Sequence, residues 1–357
     1  MARITLNVIR RQVYIAFFTL VFLVLLPLCL IVFSPIYLFR FFLCILARTF
    51  RPDLGEIIDS RSSVLAIDDP SKSPKWNLCV WIVFEGALNF ENFREFFRQN
   101  ILNKKDFNGK LVYPEYQQYY TSWLGFLFWK WDEKFRLENH MRYCFEDRPD
   151  YLTKETTEEE VRKLVKELTW SPFAQQRSPW EMHFIPNYKS ATNYESDAET
   201  KSVLIYRVHH GLCDGFKILH LIMTECNAVS MDLIAKPDYV KRSLVSRIWL
   251  AIVFWFKAPY EFFKILVSAT DHNQWHCLPE RRLVKPMNMS FTERIPLTKI
   301  KNLSKSYNVS FSAVLLGSIT GGIRRMMMDS GVRVPKNIST AFPVPMPGHP
   351  LKLRNHL

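Results

Sequence analysis

The sequence has no cluster of cysteine and histidine residues at the spacing of a metal site. Its 7 cysteines, in a chain of 357 residues, are scattered, and no CxxC pair occurs among them. Structural zinc sites need such pairs, or a mixed set of cysteine and histidine ligands a few residues apart. We therefore expect reduced thiols and no zinc or other metal.

Acidic residues are scarce relative to basic ones, and internal repeats and low-complexity tracts are absent. With 47 Lys and Arg against 34 Asp and Glu, the formal net charge is +13. A basic excess suits an anionic membrane surface, where each basic residue near the headgroups contributes about 1 kcal/mol. The basic residues are dispersed and no nucleic-acid recognition motif accompanies them, so we do not expect nucleic acid as a partner.

One long uncharged run is present near the amino terminus. No charged residue occurs from Gln12 to Phe39, and about 20 helical residues are enough to cross a bilayer. No small-residue cleavage site follows, which favours a membrane anchor over a removed signal peptide. Pro27 and Pro35 interrupt the run, so a single span and a kinked hairpin both fit. Arginines flank the run on both sides, and their balance does not fix its orientation.

A strand, a short loop and a helix are predicted around one polar motif. The apolar run Ser202–Val208 has the length and β-branched content of a strand. Directly after it comes the motif His209-His210-Gly211-Leu212-Cys213-Asp214-Gly215. Beyond the motif, apolar residues recur at helical spacing, namely Phe216, Leu219, Ile222, Met223 and Cys226. The motif therefore lies where the chain turns between two rigid elements.

This motif contains the groups needed for acid/base chemistry. Histidine titrates near neutral pH and can remove a proton from an alcohol as the oxygen attacks. Two adjacent residues of the motif, His209 and His210, are the candidates for that role. Asp214 is expected to fix the loop by pairing with an arginine or with backbone amides, and Cys213 to be a small filler rather than a nucleophile. Two glycines permit the turns that the loop needs: Gly211 and Gly215.

Several further elements are predicted before the motif. The polar residues 51–74 are interpreted as a linker. A buried strand is predicted at Leu78–Phe84, followed by a helix whose apolar face contains Phe90, Phe93, Phe97 and Ile101. The aromatic stretch Tyr113–Phe135 fits either a surface in contact with lipid or ordinary core packing. Thr157–Glu160 is a capping box at the start of an amphipathic helix.

The pattern HHxxxDG resembles the signature of the CoA-dependent acyltransferase and peptide-synthetase condensation superfamily. Within it, the chain resembles the wax ester synthase/diacylglycerol acyltransferase family. The segment Ser178-Pro179-Trp180-Glu181 is similar to the family's SPLWE element without its leucine. Residues 314–325 are similar to the helix written NDVVLAAVAGALRR, but Ser312 and Ala313 stand where bacterial members have Asn-Asp. The resemblance covers roughly residues 55–357.

This resemblance implies an α/β fold with two lobes, like the sandwich of chloramphenicol acetyltransferase. We expect a membrane anchor at 1–50, an N-terminal lobe with the motif at 51–235, and a hydrophobic crossover or interfacial helix at 236–286. A partial C-terminal lobe would occupy 287–357, with strands near 289–295 and 338–344 and helices between them. Because the last residues align with the interior of the family's second lobe, that lobe is expected to be incomplete.

The resemblance also implies an activity. A fatty acyl group would pass from acyl-CoA to diacylglycerol or a long-chain alcohol, with acyl-CoA as a substrate rather than a cofactor. In the resembled fold His210 would be the general base, and His209 a packed or hydrogen-bonded support. The net positive charge suits the phosphates of coenzyme A. Three residues, Pro179, Trp180 and Glu181, are expected either to contact substrate or to support the fold. Two alternatives stay open: a non-catalytic, membrane-anchored acyl-CoA or lipid binder, and a CoA-dependent transferase for another alcohol or an amine.

A location follows from the same resemblance. Since acyl-CoA is cytosolic, we expect a membrane protein of the endoplasmic reticulum whose catalytic part faces the cytosol, with the plasma membrane as the alternative. Four asparagines begin N-x-S sequons, and none is expected to carry a glycan: Asn288, Asn302, Asn308 and Asn337.

Overall fold

A computed structural model of the protein describes residues 2–190, 201–222, 242–268, 295–340 and 352–355. The chain divides into two compact units, one made of Met1–Ile36 and Val240–Phe342 and the other of Tyr37–Tyr239 and Pro343–Leu357. Mixed α/β structure with two sheets is observed, as the sequence predicts for the fold class.

The amino-terminal run forms one unbroken helix, α1 (Ala2–Phe50), with Pro27 and Pro35 inside it. The part of α1 from Ile9 to Phe50 is long and apolar enough to cross a membrane, and most side chains in this part are exposed. A proline in a helix interior removes one backbone hydrogen bond, yet the helix continues past both. Of the two arrangements left open by the sequence, this continuous helix matches a single span rather than a hairpin.

The unit that contains the motif has most of the secondary structure. In chain order its elements after α1 are β1 (Leu54–Ile57), α2 (Ser60–Leu65), β2 (Asn77–Glu85), α3 (Phe90–Phe97), β3 (Gln118–Trp123), β4 (Phe126–Trp131), β5 (Met141–Tyr143), β6 (Thr156–Thr157), α4 (Glu158–Trp170), β7 (Trp180–Lys189), β8 (Lys201–His209) and α5 (Gly215–His220). The other unit contains α6 (Leu244–Ser268), α7 (Leu297–Ser306) and α8 (Phe311–Asp329) besides the start of α1.

The larger sheet has the strand order β2-β8-β7-β5, and β6 also pairs with β7. Strand β8 is central and antiparallel to both neighbours, and every one of its residues is buried. Successive side chains of a strand point to opposite faces. Leu204, Tyr206 and Val208 therefore join the main core on one face, while α4 packs on the other. Burial on both faces explains why the middle of this strand, residues 203–206, is a continuous apolar run in the sequence.

The smaller sheet has the order β1-β4-β3. Strands β3 and β4 form a hairpin whose two turn residues, Leu124 and Gly125, both have positive φ, 48° and 83°. Positive φ at both positions is typical of a turn that matches the twist of paired strands. In the aromatic stretch that contains this hairpin, Tyr113, Tyr116 and Phe128 are buried, as core packing requires.

Several sequence predictions are confirmed. The strand at 78–84, the helix after it and the helices from Leu297 and around 314–325 are all present. The sequence also predicts that the strand at 78–84 is buried, and that part is wrong, because the residues of β2 are half-buried or exposed. The capping box is complete, because Thr157 Oγ1 accepts from the Glu160 amide and the Glu160 carboxylate accepts from the Thr157 amide.

The linker interpretation of residues 51–74 is wrong, since this segment contains β1 and α2. Both elements are short, and neither has enough apolar periodicity to be recognised without its tertiary partners. Strand β1 forms by pairing with β4, and α2 begins at Asp59, whose side chain accepts from the amides of Arg61 and Ser62.

The apolar face predicted for the helix after the motif is also wrong. Leu219 is 42% exposed, whereas Ile218 and Leu221 are buried. Apolar residues occur on two neighbouring faces of this helix, so their spacing alone could not indicate which face is buried. Met223 and Cys226 lie outside the described residues. So do residues 289–294 of the strand predicted at 289–295 and residues 341–344 of the one predicted at 338–344; Ile295 and residues 338–340 are described and are not in a strand.

Candidate active site

The motif loop joins the end of β8 to the start of α5. Two backbone hydrogen bonds hold its first residues to neighbouring segments: the His209 amide donates to the Pro179 carbonyl at 2.9 Å, and the His210 amide donates to the Trp76 carbonyl at 2.6 Å. Pro179, one of the residues singled out by the sequence, therefore supports the loop through its carbonyl oxygen.

The His209 ring is buried and engaged on both nitrogens. Nδ1 forms a hydrogen bond with the Tyr120 hydroxyl, and Nε2 lies 3.2 Å from Asp68 Oδ1. Burial lowers the pKa of His209 below its ordinary value, although the charge of Asp68 opposes this effect. The ring is therefore held between Tyr120 and Asp68, and its supporting role stays a prediction.

The His210 ring lies in a different environment. It is half-buried, and its Nδ1 lies 2.9 Å from Asn355 Oδ1. The amide group of Asn355 also donates from Nδ2 to the His210 carbonyl oxygen at 2.7 Å. Within the part of the chain that the structure describes, no residue forms a hydrogen bond with His210 Nε2. This nitrogen is therefore the one left for a hydrogen bond with a bound molecule.

Two positions of the motif loop, Gly211 and Asp214, have an identifiable structural role. Asp214 caps α5, because its Oδ1 accepts from the Lys217 amide at 2.8 Å. Of the two kinds of partner predicted for this carboxylate, an arginine or backbone amides, the structure shows a backbone amide. Gly211 lies so close to α2 that an added Cβ would be 2.6 Å from the Ala66 Cβ. A Cβ at Gly215 would meet nothing within 4 Å. Close packing thus explains the glycine at 211 and leaves the one at 215 without a steric reason.

Cys213 is fully buried, and burial raises the pKa of its thiol well above the ordinary value. A thiol that stays protonated is a poor nucleophile. Its side chain belongs to the main core cluster, together with Leu212. These observations agree with the filler role predicted for Cys213.

Trp180 and Glu181 belong to the scaffold beneath the loop. Trp180 is completely buried, and its Nε1 donates to the Tyr116 carbonyl oxygen at 2.8 Å. Glu181 Oε2 accepts from Arg207 and His183, each at 3.1 Å. Burial raises the Glu181 pKa, but the hydrogen bond from His183 and the charge of Arg207 outweigh it and hold the pKa below its ordinary value. These contacts of Trp180 and Glu181 support the fold, which is one of the two roles predicted for them.

Sequence reasoning missed three residues that contact the histidine pair, Asp68, Tyr120 and Asn355. It also missed Ser62, which contacts Asn355. Ser62 and Asp68 lie in the segment interpreted as a linker, and Asn355 is separated from His210 by 145 positions. Short polar residues in loops give no local pattern that marks them as partners of a distant histidine. Only the pairing of the strands and the packing of the last described segment bring them together.

Cavities lie on the His209 side of the loop. One of about 60 Å³ is lined by Tyr120, Phe173 and Pro179, among other residues. Two wider clefts, of about 310 and 520 Å³, share Arg177 with it. None of these three is lined by His210. Among the described residues, no group of three or more His, Cys, Asp or Glu side chains could bind a metal ion.

Solved structures with a similar arrangement include acyl-transfer and condensation proteins. The wax ester synthase/diacylglycerol acyltransferase from Marinobacter aquaeolei is similar over 78% of this chain, with 13% identity and a TM-score of 0.44. The chain spans 61% of that protein. The first condensation domain of the calcium-dependent antibiotic synthetase is similar over 44% of this chain and 33% of its own, with 9% identity and a TM-score of 0.29.

A third similar structure is polyketide synthase associated protein 5 from Mycobacterium tuberculosis. It matches 54% of this chain and 37% of its own, with 11% identity and a TM-score of 0.29. No family model matches the sequence, and no curated protein does either.

Proposed function

We propose that this protein is a membrane-anchored O-acyltransferase. It transfers a fatty acyl group from acyl-CoA to the hydroxyl of diacylglycerol or of a long-chain alcohol, which yields triacylglycerol or a wax ester. Acyl-CoA is a substrate here, and the reaction needs no resident cofactor. The observation that carries the proposal is the contrast between the two motif rings: His209 is enclosed by Tyr120 and Asp68, while His210 is half-buried with one ring nitrogen unengaged by described residues.

The chemistry requires one base. The His210 ring removes the proton of the acceptor hydroxyl as its oxygen attacks the thioester carbonyl carbon. A C–O bond forms, the C–S bond breaks, and the proton passes from His210 to the departing CoA thiolate. Protons and electron pairs balance without a covalent acyl-enzyme, so we expect kinetics of a ternary complex.

Replacement of His210 tests this function. In microsomes that contain His210→Gln, synthesis of ester from oleoyl-CoA with dioleoylglycerol or hexadecanol should fall by about 10²–10⁴, the usual contribution of a general base. Glutamine keeps a polar side chain of similar size but cannot act as a base. A matched control is His220→Ala, which removes a histidine from α5 outside the motif loop.

The outcomes separate the three functions. Unchanged ester synthesis by His210→Gln, at equal protein level, would reject the proposed base. Tight binding of oleoyl-CoA by the wild-type protein, with no product from any acceptor, would identify a non-catalytic binder. Product from hexadecylamine but from neither hydroxyl acceptor would identify a transferase for amines.

The membrane anchor is proposed from α1. Its exposed apolar surface from Ile9 to Phe50 suits lipid, and its unbroken course suits a single span. Acyl-CoA is made and kept in the cytosol, so the motif unit faces the cytosol, and the endoplasmic reticulum is the expected membrane. The net charge of +13 favours contact with anionic headgroups and with the phosphates of coenzyme A.

A further inference from the structure

The segment Lys352–Asn355 contacts the motif loop through a buried asparagine. Asn355 is 1% exposed, and Leu353 beside it is 2% exposed and belongs to the main core cluster. The Asn355 backbone amide donates to Ser62 Oγ at 3.1 Å, and its side-chain Nδ2 lies 3.2 Å from the same oxygen. These contacts fix the backbone and the side chain of Asn355 at once.

The hydrogen bonds determine which way the Asn355 amide points. A backbone carbonyl oxygen can only accept, and the His210 carbonyl lies 2.7 Å from the Asn355 amide nitrogen. The NH₂ group must therefore face that carbonyl, which leaves Oδ1 toward the His210 ring. The opposite orientation would bring two acceptor oxygens together in a buried place, with the loss of a hydrogen bond.

This orientation determines the position of the proton on the His210 ring. Asn355 Oδ1 has no hydrogen to donate, so the contact of 2.9 Å exists only when His210 Nδ1 carries the proton. In a neutral imidazole, the other nitrogen then has the free electron pair. Nε2, the nitrogen without a described partner, is thereby set as the basic one.

We propose that Asn355 is the positioning residue that holds His210 in the Nδ1–H tautomer, so that Nε2 is the base of the reaction. This inference rests on the proposed function for its catalytic meaning. Asn355 does not touch the reacting atoms. It acts through His210 alone, by fixing the proton and the rotation of the ring, and as a neutral group it adds no charge beside the ring.

Two substitutions separate positioning from packing. Asn355→Leu keeps the branching at Cγ but removes the acceptor, so the ring populates both tautomers. Since a fraction of the rings still has the active tautomer, kcat should fall by about tenfold, less than the roughly 10²–10⁴ lost with the base itself, while KM stays within a few-fold. Asn355→Asp keeps an acceptor for Nδ1–H and adds a negative charge that favours the imidazolium. The acidic limb of its kcat/KM profile should therefore shift to higher pH, with higher activity than the leucine variant on the alkaline side.

The tautomer itself can be observed with ¹⁵N-labelled histidine in the full chain, in detergent or lipid. His210 signals are assigned by their loss in His210→Gln. Wild-type His210 should give a protonated Nδ1 and an unprotonated Nε2, and Asn355→Leu should give a mixture of tautomers. Because leucine also removes the donors to Ser62 and to the His210 carbonyl, thermal unfolding is measured beside it, and the spectra are recorded where the variant is fully folded.

A wild-type His210 ring with its proton on Nε2 would overturn the inference, whatever the activity. Equal kcat, pH profile and tautomer in Asn355→Leu would overturn it as well. Absence of transfer by the wild-type protein would instead reject the proposed function, while the ¹⁵N signals would still decide the role of Asn355. The two failures are therefore distinguishable.

Discussion

At the scale of single residues, the two motif glycines differ in what surrounds them. A side chain at Gly211 would meet the Ala66 Cβ at 2.6 Å, whereas one at Gly215 would meet nothing within 4 Å. Gly211→Ala must push the loop away from α2, and we expect it to destabilise the protein by about 1–3 kcal/mol, as overpacking does. Gly215→Ala is the matched control, because alanine suits the first turn of a helix and should leave stability equal or higher. Thermal unfolding of both variants checks this, and equal losses would contradict the steric account.

Glu115 contains a buried carboxylate oxygen without a hydrogen-bond partner. Its Oε2 is buried, and burial raises the pKa of this carboxyl to about 7, although the charges of Arg354 and Lys352 lower it and that of Glu56 raises it further. A group with a raised pKa binds more protons in the folded state than in the unfolded state. Its contribution to stability is therefore fully present below the ordinary pKa of 4.5 and is lost as the pH rises through about 7.

Replacement of Glu115 should reverse that loss. We expect Glu115→Gln to stabilise the protein at pH 8 by roughly 1–3 kcal/mol relative to wild type, with little gain at pH 4.5, because glutamine has no charge to bury. Unfolding midpoints measured across this pH range give the difference. The exposed Glu85, substituted in the same way, is the control, and a gain from Glu115→Gln that does not depend on pH would contradict the assigned titration.

Sequence reasoning could find the residues whose role depends on local order. The strand end, the loop and the cap at Asp214 all follow from a run of neighbouring residues, and they are observed. Asp68, Tyr120 and Asn355 could not be found, because their contact with the histidines depends on strand pairing and on packing between segments far apart in the chain.

At the scale of elements, α4 begins with a capping box that should have a measurable effect. Thr157 Oγ1 accepts from the Glu160 amide, which would otherwise lack a partner in the first turn. We expect Thr157→Ala to destabilise the protein by about 1 kcal/mol, and Thr157→Ser to retain most of the stability because it keeps the oxygen. Thermal unfolding of both variants at pH 7 measures the loss of stability. Equal losses with alanine and serine would show that the missing hydroxyl is not the cause.

Elements were predictable where one periodicity was dominant. The central strand is apolar on both faces and α4 has a single apolar stripe, so their types and bounds follow from the pattern. Two competing stripes misled the prediction for α5, since Leu219 is exposed and Ile218 is buried. Short elements such as β1 and α2 depend on partners elsewhere, and a polar segment gave no sign of them.

At the scale of the whole molecule, the course of α1 predicts the membrane arrangement. A single span places the amino terminus on the side of the membrane opposite to the motif unit. A glycosylation tag appended before Met1 should therefore receive a glycan, while the native sequons should not. Three of those sequons have exposed asparagines in the structure, so the absence of a glycan would not follow from burial: Asn302, Asn308 and Asn337.

The mass shift on glycosidase treatment is the measurement, with a known lumenal glycoprotein as the control. A glycan on the tag and none on the native sequons agrees with a single span and a cytosolic motif. A hairpin would leave the tag unmodified, and glycans on the native sequons would reverse the orientation.

The contact between Asn355 and His210 has a consequence for how the protein is made. A ribosome completes the histidine loop 145 positions before it reaches the asparagine, so the nascent chain holds a finished central strand with a ring that nothing yet orients. Proteolytic cleavage between the two residues, followed by release of the segment that contains Asn355, would produce the same condition in a mature molecule. The fragment could keep its sheet and its cap at Asp214 while the imidazole rotates freely, and such a cleaved protein would look folded by spectroscopy but turn over slowly.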